Sequence, residues 1–248
     1  EVWWSKIPPF SLFMKEMATQ VDHFGYLAEY TANEIARVIP RNKLVKIAPG
    51  IDVKHFLPHE VKKSRPTLIS VGRLVHRKGQ DRLVEALPII KRAIPDVELV
   101  FVGEGPHRRE LNRLVKKHNL ENSVRFIGRV NYKDLPKYFS LGDVFAMPSR
   151  NRLFGLEVEG LGIVFLEASA CGLPVIAGDS GGAPDAVIEG ETGYVVDGND
   201  IESIAARAIE LLSDPNLRAR LGQRGRTWVE AEWNWDIWSK RFSDLVRQ

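Results

Sequence analysis

From Thr67 onward the chain alternates between two kinds of stretch, and this alternation constrains the fold more than any other feature. TLISVG, ELVFVG, VRFIG, VFAM, PVIA and GYVV are short apolar runs rich in β-branched residues. Helical stretches separate them, over about 80–93, 106–118, 133–141, 162–171 and 184–187. Strand and helix alternating at this spacing predict a parallel, doubly wound α/β sheet. Ligands of such sheets bind at the carboxyl ends of the strands. The residues that follow each apolar run are therefore the first place to look for chemistry.

After TLISVG comes GRLVHRKG, with Arg73 and Lys78 five apart. Two cations at a strand end form a clamp for a diphosphate, the arginine by its fork and the lysine as a point charge. His76 and Arg77 lie between them and receive no role. After ELVFVG comes GEGPHR, close to the dinucleotide fingerprint, with Pro106 expected to start the helix. Arg108 stands where that fingerprint needs its third glycine, and FIGRV supplies no acidic residue for a ribose diol. A nicotinamide cofactor is rejected on both counts. After VFAM comes PSRNRLFGLEVEGLG, a loop long enough to be functional or mobile. It leads into Glu159 and Glu167, eight apart, with Gly160 and Gly162 between them. A loop to about Leu161, a helix to about Cys171 and a strand over 175–177 put Glu159 just outside a helix N-terminus and Glu167 near its second turn. Such a terminus offers free N–H groups and a positive dipole end, which suit a phosphate. Ionised carboxylates beside it accept hydrogen bonds from hydroxyls. A nucleotide sugar carries a pyrophosphate, a ribose diol and hexose hydroxyls, and so suits the whole set. Glu157 offers a second register; the spacing to Glu167 favours Glu159.

EGLGIVFLEASACGLPVIA, followed by SGGAPDAV and GETGYVV, resembles the retaining family 4 glycosyltransferases of the GT-B fold. Within them, EVEGLGIVFLEA and SGGAPDAV are most similar to GDP-mannose-dependent mannosyltransferases acting on phosphatidylinositol mannosides. The resemblance runs from residue 1 to about residue 230. It implies a diphosphate role for Arg73 and Lys78, with Gly72, Gly103 and Gly105 lying beside the nucleotide. It implies backbone contacts to the base near Ile127 and Val130. Gly160, Leu161, Gly162 and Ile163 would complete the donor site, with Glu159 on the sugar hydroxyls and Glu167 on the ribose diol. The catalytic group is then Arg73, Lys78 and Glu159. The resemblance further implies retention of configuration and a lipid-linked acceptor. It makes EVWWSKIP the segment after a His-Gly-His turn, so that residues 1–50 are the last part of an N-terminal acceptor domain. The catalytic histidine and most of the acceptor site would lie in the part of that domain not represented here. Residues 51–66 would be a hinge, 67–230 the donor-binding domain, and 231–248 a helix crossing back to the N-terminal domain. A UDP- or ADP-glucose transferase, a nucleotide-sugar epimerase of the same fold, and a donor-binding module without turnover remain open alternatives.

Within residues 1–50, helices are expected over 12–20 and 31–38 and strands over 23–28 and 44–48. Thr31 and Glu34 form a candidate capping box for the second helix. Trp3, Trp4, Phe10 and Phe13 are expected to be core or interface residues. Residues 53–66 lack apolar periodicity and read as a linker. Asp200 and Asp214 are placed to cap two helices near the end, and Trp235, Trp238, Phe242 and Leu245 recur at helical spacing. Interface packing is favoured for that tail over a membrane-surface helix, because only Lys240 and Arg241 would support the latter.

Composition sets the remaining limits. At 44% hydrophobic and 27% charged, this is ordinary globular material. Net charge is +3, with 35 basic and 32 acidic residues interleaved. The basic clusters lack the interleaved aromatics of a nucleic-acid groove, so no nucleic-acid partner is expected. The one cysteine, Cys171, fits a reducing compartment and a small core residue. No apolar run reaches the ~20 residues of a membrane span. A cytoplasmic location is expected, with peripheral contact at the inner face of the membrane. There is no Asp-x-Asp motif and no His/Cys cluster with a zinc spacing, so neither a metal nor a cofactor is expected.

Overall fold

A computed structural model describes residues 2–247, with side chains from Trp4, so the expectation for Trp3 lies outside the described set. In chain order the elements are α1 (Phe10–Gln20), β1 (Phe24–Tyr26), α2 (Glu29–Ile35) and β2 (Leu44–Lys46). Then follow β3 (Thr67–Val71), α3 (Gln80–Ala93), β4 (Glu98–Val102), α4 (Arg108–Lys117), β5 (Val124–Gly128), α5 (Leu135–Phe139) and β6 (Val144–Met147). The chain ends with α6 (Ile163–Ala170), β7 (Val175–Gly178), β8 (Gly193–Val196), α7 (Ile201–Ser213), α8 (Pro215–Glu232) and α9 (Trp235–Val246).

The six apolar runs form one parallel sheet in the order β5-β4-β3-β6-β7-β8. Residues of β3 are buried throughout, because helices cover both faces. Successive side chains point to opposite faces, so Ile69, Val100 and Phe145 share one core with Phe165 of α6 and Trp228 of α8. Leu68, Leu99, Phe101 and Ile176 share the other with α3, α4 and α7. Burying each such side chain stabilises the fold by about 1.5–3 kcal/mol. Chain order reverses direction between β3 and β6, which makes the crevice above their carboxyl ends the topological switch point.

β1 and β2 form a separate two-stranded parallel sheet. Its own buried apolar set is small: Ala18, Ile35 and Ile39. Trp4 and Phe10 pack ring against ring, with centroids 5.2 Å apart, whereas Phe13 is exposed. The unit docks on the large sheet through Ala28, which is fully buried in the larger core. Lys46 pairs with Asp185 at 3.3 Å.

Several expectations need correction. Thr31 is not a cap: α2 begins at Glu29, which puts Thr31 inside it. The first turn is instead satisfied from afar, by the Glu29 N–H donating to Asp185 Oδ2 at 2.8 Å. Glu34 is buried and binds Lys6 at 2.9 Å. Pro106 and His107 form a turn, so α4 starts at Arg108. The 133–141 helix divides into a 3-10 turn over Tyr132–Asp134 and the short α5. The 184–187 helix is a 3-10 turn over Ala183–Ala186. Residues 53–66 lack helix and strand but are not slack: Phe56 is buried in the core, and Lys63 pairs with Asp143 at 3.0 Å. Asp200 and Asp214 do cap α7 and α8, each accepting from backbone N–H groups.

The C-terminal segment meets residues 50 and 51 directly. The Ile51 N–H donates to the Trp233 carbonyl at 2.6 Å, and Gly50 lies against the backbone of Trp235. Trp233 packs between Trp228 and Trp238, both at 5.7 Å. Trp238 is buried, while Trp235 and Phe242 are exposed.

Candidate functional site

The two loops that border the switch point are stitched together before any ligand is considered. From the β6 loop, the Arg150 N–H donates to the Arg77 carbonyl of the β3 loop at 2.8 Å. The Arg150 guanidinium grips the Asp81 carboxylate with two bonds of 2.9 and 2.7 Å. Burial alone would raise the Asp81 carboxyl; the Arg150 fork overcomes this and holds it below the usual carboxylate range. Further along, the Glu159 N–H donates to Ser180 Oγ at 3.1 Å, and that hydroxyl donates to Asn151 Oδ1 at 2.9 Å.

This frame brings Lys78 and Glu159 together. Lys78 Nζ lies 3.0 Å from Glu159 Oε2, with both side chains largely buried. Arg77 stands farther from the same carboxylate, at 3.9 Å, and 3.8 Å from Glu157. Glu157 pairs with Arg152 at 2.8 Å, so Glu159 is the carboxylate that faces the lysine. Gly162 takes a left-handed conformation at φ 73° and caps α6, turning the loop into the helix. A side chain there would strike the Phe165 ring, so glycine is required on two counts. In the first turn of α6 the Phe165 N–H donates to the Gly162 carbonyl at 2.9 Å, while the N–H groups of Ile163 and Val164 precede the first helical bond.

One turn further along α6 stands Glu167. Burial pushes its carboxyl up to about 7, and Lys78 pulls it part of the way back. Lys78, Glu159, Leu161, Gly162, Ile163 and Glu167 line a cavity of about 410 Å³, which Leu27 of the small unit and Val164 complete. The cleft therefore lies between the two units. Gly160 opens on a neighbouring cavity of about 520 Å³, walled by residues such as Phe24, Tyr26, Leu156 and Val158.

The other expected residues are placed differently. Arg73 is exposed, and its guanidinium has no hydrogen-bonding or ion-pair partner among the described residues. Gly72 lies beside the Lys78 stem. Gly103 has φ 130°, and a Cβ there would stand 2.1 Å from the Gly72 carbonyl oxygen. Gly105 is blocked in the same way by the Leu74 carbonyl. The close approach at both glycines is thus between the β3 and β4 loops. Ile127 and Val130 are half-buried; Val130 lines a separate cavity of about 330 Å³ with Arg129, Asn131 and Tyr138. They do not reach the Lys78 cavity. Cys171 is buried, and burial pushes its thiol up to about 12, as suits a packing residue.

Sequence reasoning missed Arg150, Asp81, Asn151 and Ser180, which hold the loops. Arg150 carried a legible signal, since it follows a strand end as Arg73 does. It also missed Tyr132, whose ring stacks on His55 at 4.7 Å. Burial first, and then the charge of Glu167, raises the Tyr132 phenol, which puts it within electrostatic reach of the cleft.

What the arrangement can do follows from its charges. Lys78 and the N-terminus of α6 bring a cation and a positive dipole end to the cavity, where Glu159 already pairs with the lysine; Arg73 follows the end of the neighbouring strand. Two carboxylates supply acceptors for hydroxyls in the same cavity. Cations and hydroxyl acceptors side by side are the chemistry that a ligand carrying both a diphosphate and a polyol requires.

Comparison with known proteins agrees in fold and in family. The family model for glycosyl transferases group 1 matches residues 54–228. A GDP-mannose-dependent alpha-(1-6)-phosphatidylinositol monomannoside mannosyltransferase of Mycobacterium tuberculosis is 42% identical over 258 residues, covering 100% of this chain and 67% of that relative. A GDP-mannose-dependent monoacylated alpha-(1-6)-phosphatidylinositol monomannoside mannosyltransferase of Corynebacterium glutamicum is 40% identical, covering 100% of this chain and 68% of the relative. Among solved structures, a sucrose-phosphate synthase from Thermosynechococcus elongatus superposes with a TM-score of 0.85 at 28% identity, over 98% of this chain and 64% of its own length. The chain thus spans about two thirds of the length of these three relatives. With the parallel doubly wound sheet and these matches together, the chain belongs to the glycosyl transferases group 1 family, with the GT-B fold.

Proposed function

We propose that this chain binds GDP-mannose in the crevice between the β3 and β6 loops and serves mannose transfer to a lipid-linked acceptor. The acceptor class is a phosphatidylinositol mannoside, and the anomeric configuration is retained. The observation that carries this reading is the meeting of Lys78 and Glu159 at the switch point, with Glu167 in the same cavity. The names of relatives at 40–42% identity support mannose and the acceptor class.

Breaking the sugar–phosphate bond leaves negative charge on the diphosphate and positive character on the sugar. Lys78, Arg73 and the α6 N-terminus stabilise the first. Arg73, free in the structure, closes onto the diphosphate when it arrives. Glu159 holds the sugar hydroxyls and keeps Lys78 aimed into the crevice. Glu167 accepts from the ribose diol in its ionised form. Ile127 and Val130 bound the base through their backbone. Gly72, Gly103 and Gly105 keep the loop edge bare of side chains. The transfer needs no metal in this scheme. The acceptor is held mainly by an N-terminal domain of which residues 1–50 are the last part, and transfer takes place at the inner face of the membrane. Among the described residues no helix is long and apolar enough to cross a membrane.

Calorimetric titration with GDP-mannose and with UDP-glucose tests the proposal. GDP-mannose is expected to bind, UDP-glucose to bind at least tenfold more weakly, and Arg73→Ala to lose about 1.5–3 kcal/mol, the worth of a charge-assisted pair. Equal binding of both donors overturns the base assignment. Unaltered binding by Arg73→Ala overturns the diphosphate clamp. The alternative is donor binding without turnover. Radiolabelled mannose transfer to a phosphatidylinositol mannoside, measured alongside the titration, separates the two.

A further inference from the structure

Outside the crevice, the turns after β3 and β4 bring together three side chains that neither the fold nor the donor site explains. His76 opens the 3-10 turn His76–Lys78, and His107 is the residue before α4. Their rings lie 3.7 Å apart, centroid to centroid, tilted by 38°. Glu110, on the first turn of α4, places Oε2 3.3 Å from His107 Nε2 and 3.6 Å from His76 Nε2. One ligand atom from each of the three lies within 4.8 Å of the others.

His107 is the anomaly. Its side chain has no exposed surface, and neither ring nitrogen makes a hydrogen bond of good geometry. A buried imidazole with no aligned partner is costly, and a structure that keeps one calls for an explanation. Burial, and then the neighbouring His76, disfavour the charged form of this ring. Asp81 is close enough to favour the charged ring, but its carboxylate is already taken by Arg150.

We infer that His76, His107 and Glu110 form a binding site for a divalent ion of the zinc class. Two imidazoles and a carboxylate suit Zn²⁺, Co²⁺ or Ni²⁺, and disfavour Mg²⁺ and Ca²⁺, which prefer oxygen ligands. Ligand bonds of about 2.0–2.1 Å at tetrahedral angles put neighbouring ligand atoms roughly 3.4 Å apart. The two measured separations to Glu110 bracket that value. His107 is fixed by burial, whereas the side chains of His76 and Glu110 are about half exposed and free to adjust. Solvent fills the fourth position. The ion ties the β3 loop, which carries Lys78, to the start of α4. This role is mechanical and stands apart from the transfer chemistry. Sequence spacing hid the set, because His76 and His107 are far apart in the chain and meet only through the pairing of β3 with β4.

The test uses the full chain, freed of any affinity tag and stripped with chelator. Titration with ZnCl₂ by calorimetry is expected to show one saturable site per chain. Co²⁺ is expected to give the visible absorption of a four-coordinate nitrogen–oxygen site. His76→Ala and Glu110→Gln, both at exposed side chains, are each expected to weaken binding at least ~10-fold, the lower end of what even outer-shell changes cost. His23→Ala, on the exposed surface, is expected to leave it unchanged. Absence of a saturable site overturns the inference, and so does Zn²⁺ binding that His76→Ala leaves intact.

Discussion

The six-stranded sheet and the two-stranded sheet are built on the same parallel pattern, yet they depend on their surroundings to opposite degrees. Every residue of β3, β6 and β7 is buried, and two large apolar cores flank them. No residue of β1 or β2 is fully buried, and the unit's own core is three residues. The larger unit can hold its loops in place from within. The smaller one borrows a helix cap, an ion pair and a burial site from the larger, all around Ala28 and Asp185. A cleft between them inherits this asymmetry: its chemistry stands on the rigid side, and only Leu27 comes from the dependent one.

The sharpest way to break this comparison is to hollow one core at a time. Phe165→Ala is expected to cost about 3–5 kcal/mol and to lower the melting of the whole chain. Ile39→Ala, in the small core, is expected to loosen residues 10–46 in hydrogen exchange while the six-stranded sheet keeps its protection. Equal loss of protection in both units after Ile39→Ala would contradict the asymmetry.

Glu167 gives the next largest effect. Its carboxyl titrates near 7 in the folded chain and near 4.5 when unfolded. Between those values the folded state holds a proton that the unfolded state has released, so stability falls as pH rises. The fall is about 1.4 kcal/mol per pH unit, roughly 3 kcal/mol in all, and it levels off above about pH 7. Denaturant titrations across this range are expected to show the step in the wild type and not in Glu167→Gln. Because a diol needs the ionised carboxylate, affinity for GDP is expected to rise with pH up to about 7 and then level.

The smallest effect concerns the joint between the units. Asp185→Asn weakens the acceptor for the Glu29 N–H and removes the charge facing Lys46. A loss of about 1 kcal/mol is expected, the usual worth of a cap. It should register as faster exchange in α2 with the large sheet unmoved.

How much of this was legible in the sequence follows the same division. Strands buried on both faces announce themselves as continuous apolar runs, so β3, β4, β6, β7 and β8 are readable from the residues alone, while β5, at the sheet edge, is only half-buried and carries Arg125. The caps at Asp200 and Asp214 were legible because cap and helix are adjacent. The α2 cap was not, because its acceptor lies 156 residues away, and Thr31 offered a plausible local decoy. Lys78, Glu159 and Glu167 were legible as cations and carboxylates at strand and helix ends. That Lys78 would face Glu159 was not, since it depends on how the β3 and β6 loops interlock through Arg150. Gly103 and Gly105 were singled out as glycines, but for approach to a ligand; the neighbouring loop is what leaves no room for a side chain.

The central claim is that the donor occupies the switch-point crevice. Hydrogen–deuterium exchange of the whole chain, with and without saturating GDP, reads this most directly. The account predicts slowed exchange at 72–79 and 160–167, together with 127–130 where the base is held, and the small unit little changed apart from the neighbourhood of Leu27. Slowing confined to the separate cavity around Val130, with 72–79 and 160–167 unaltered, would contradict it.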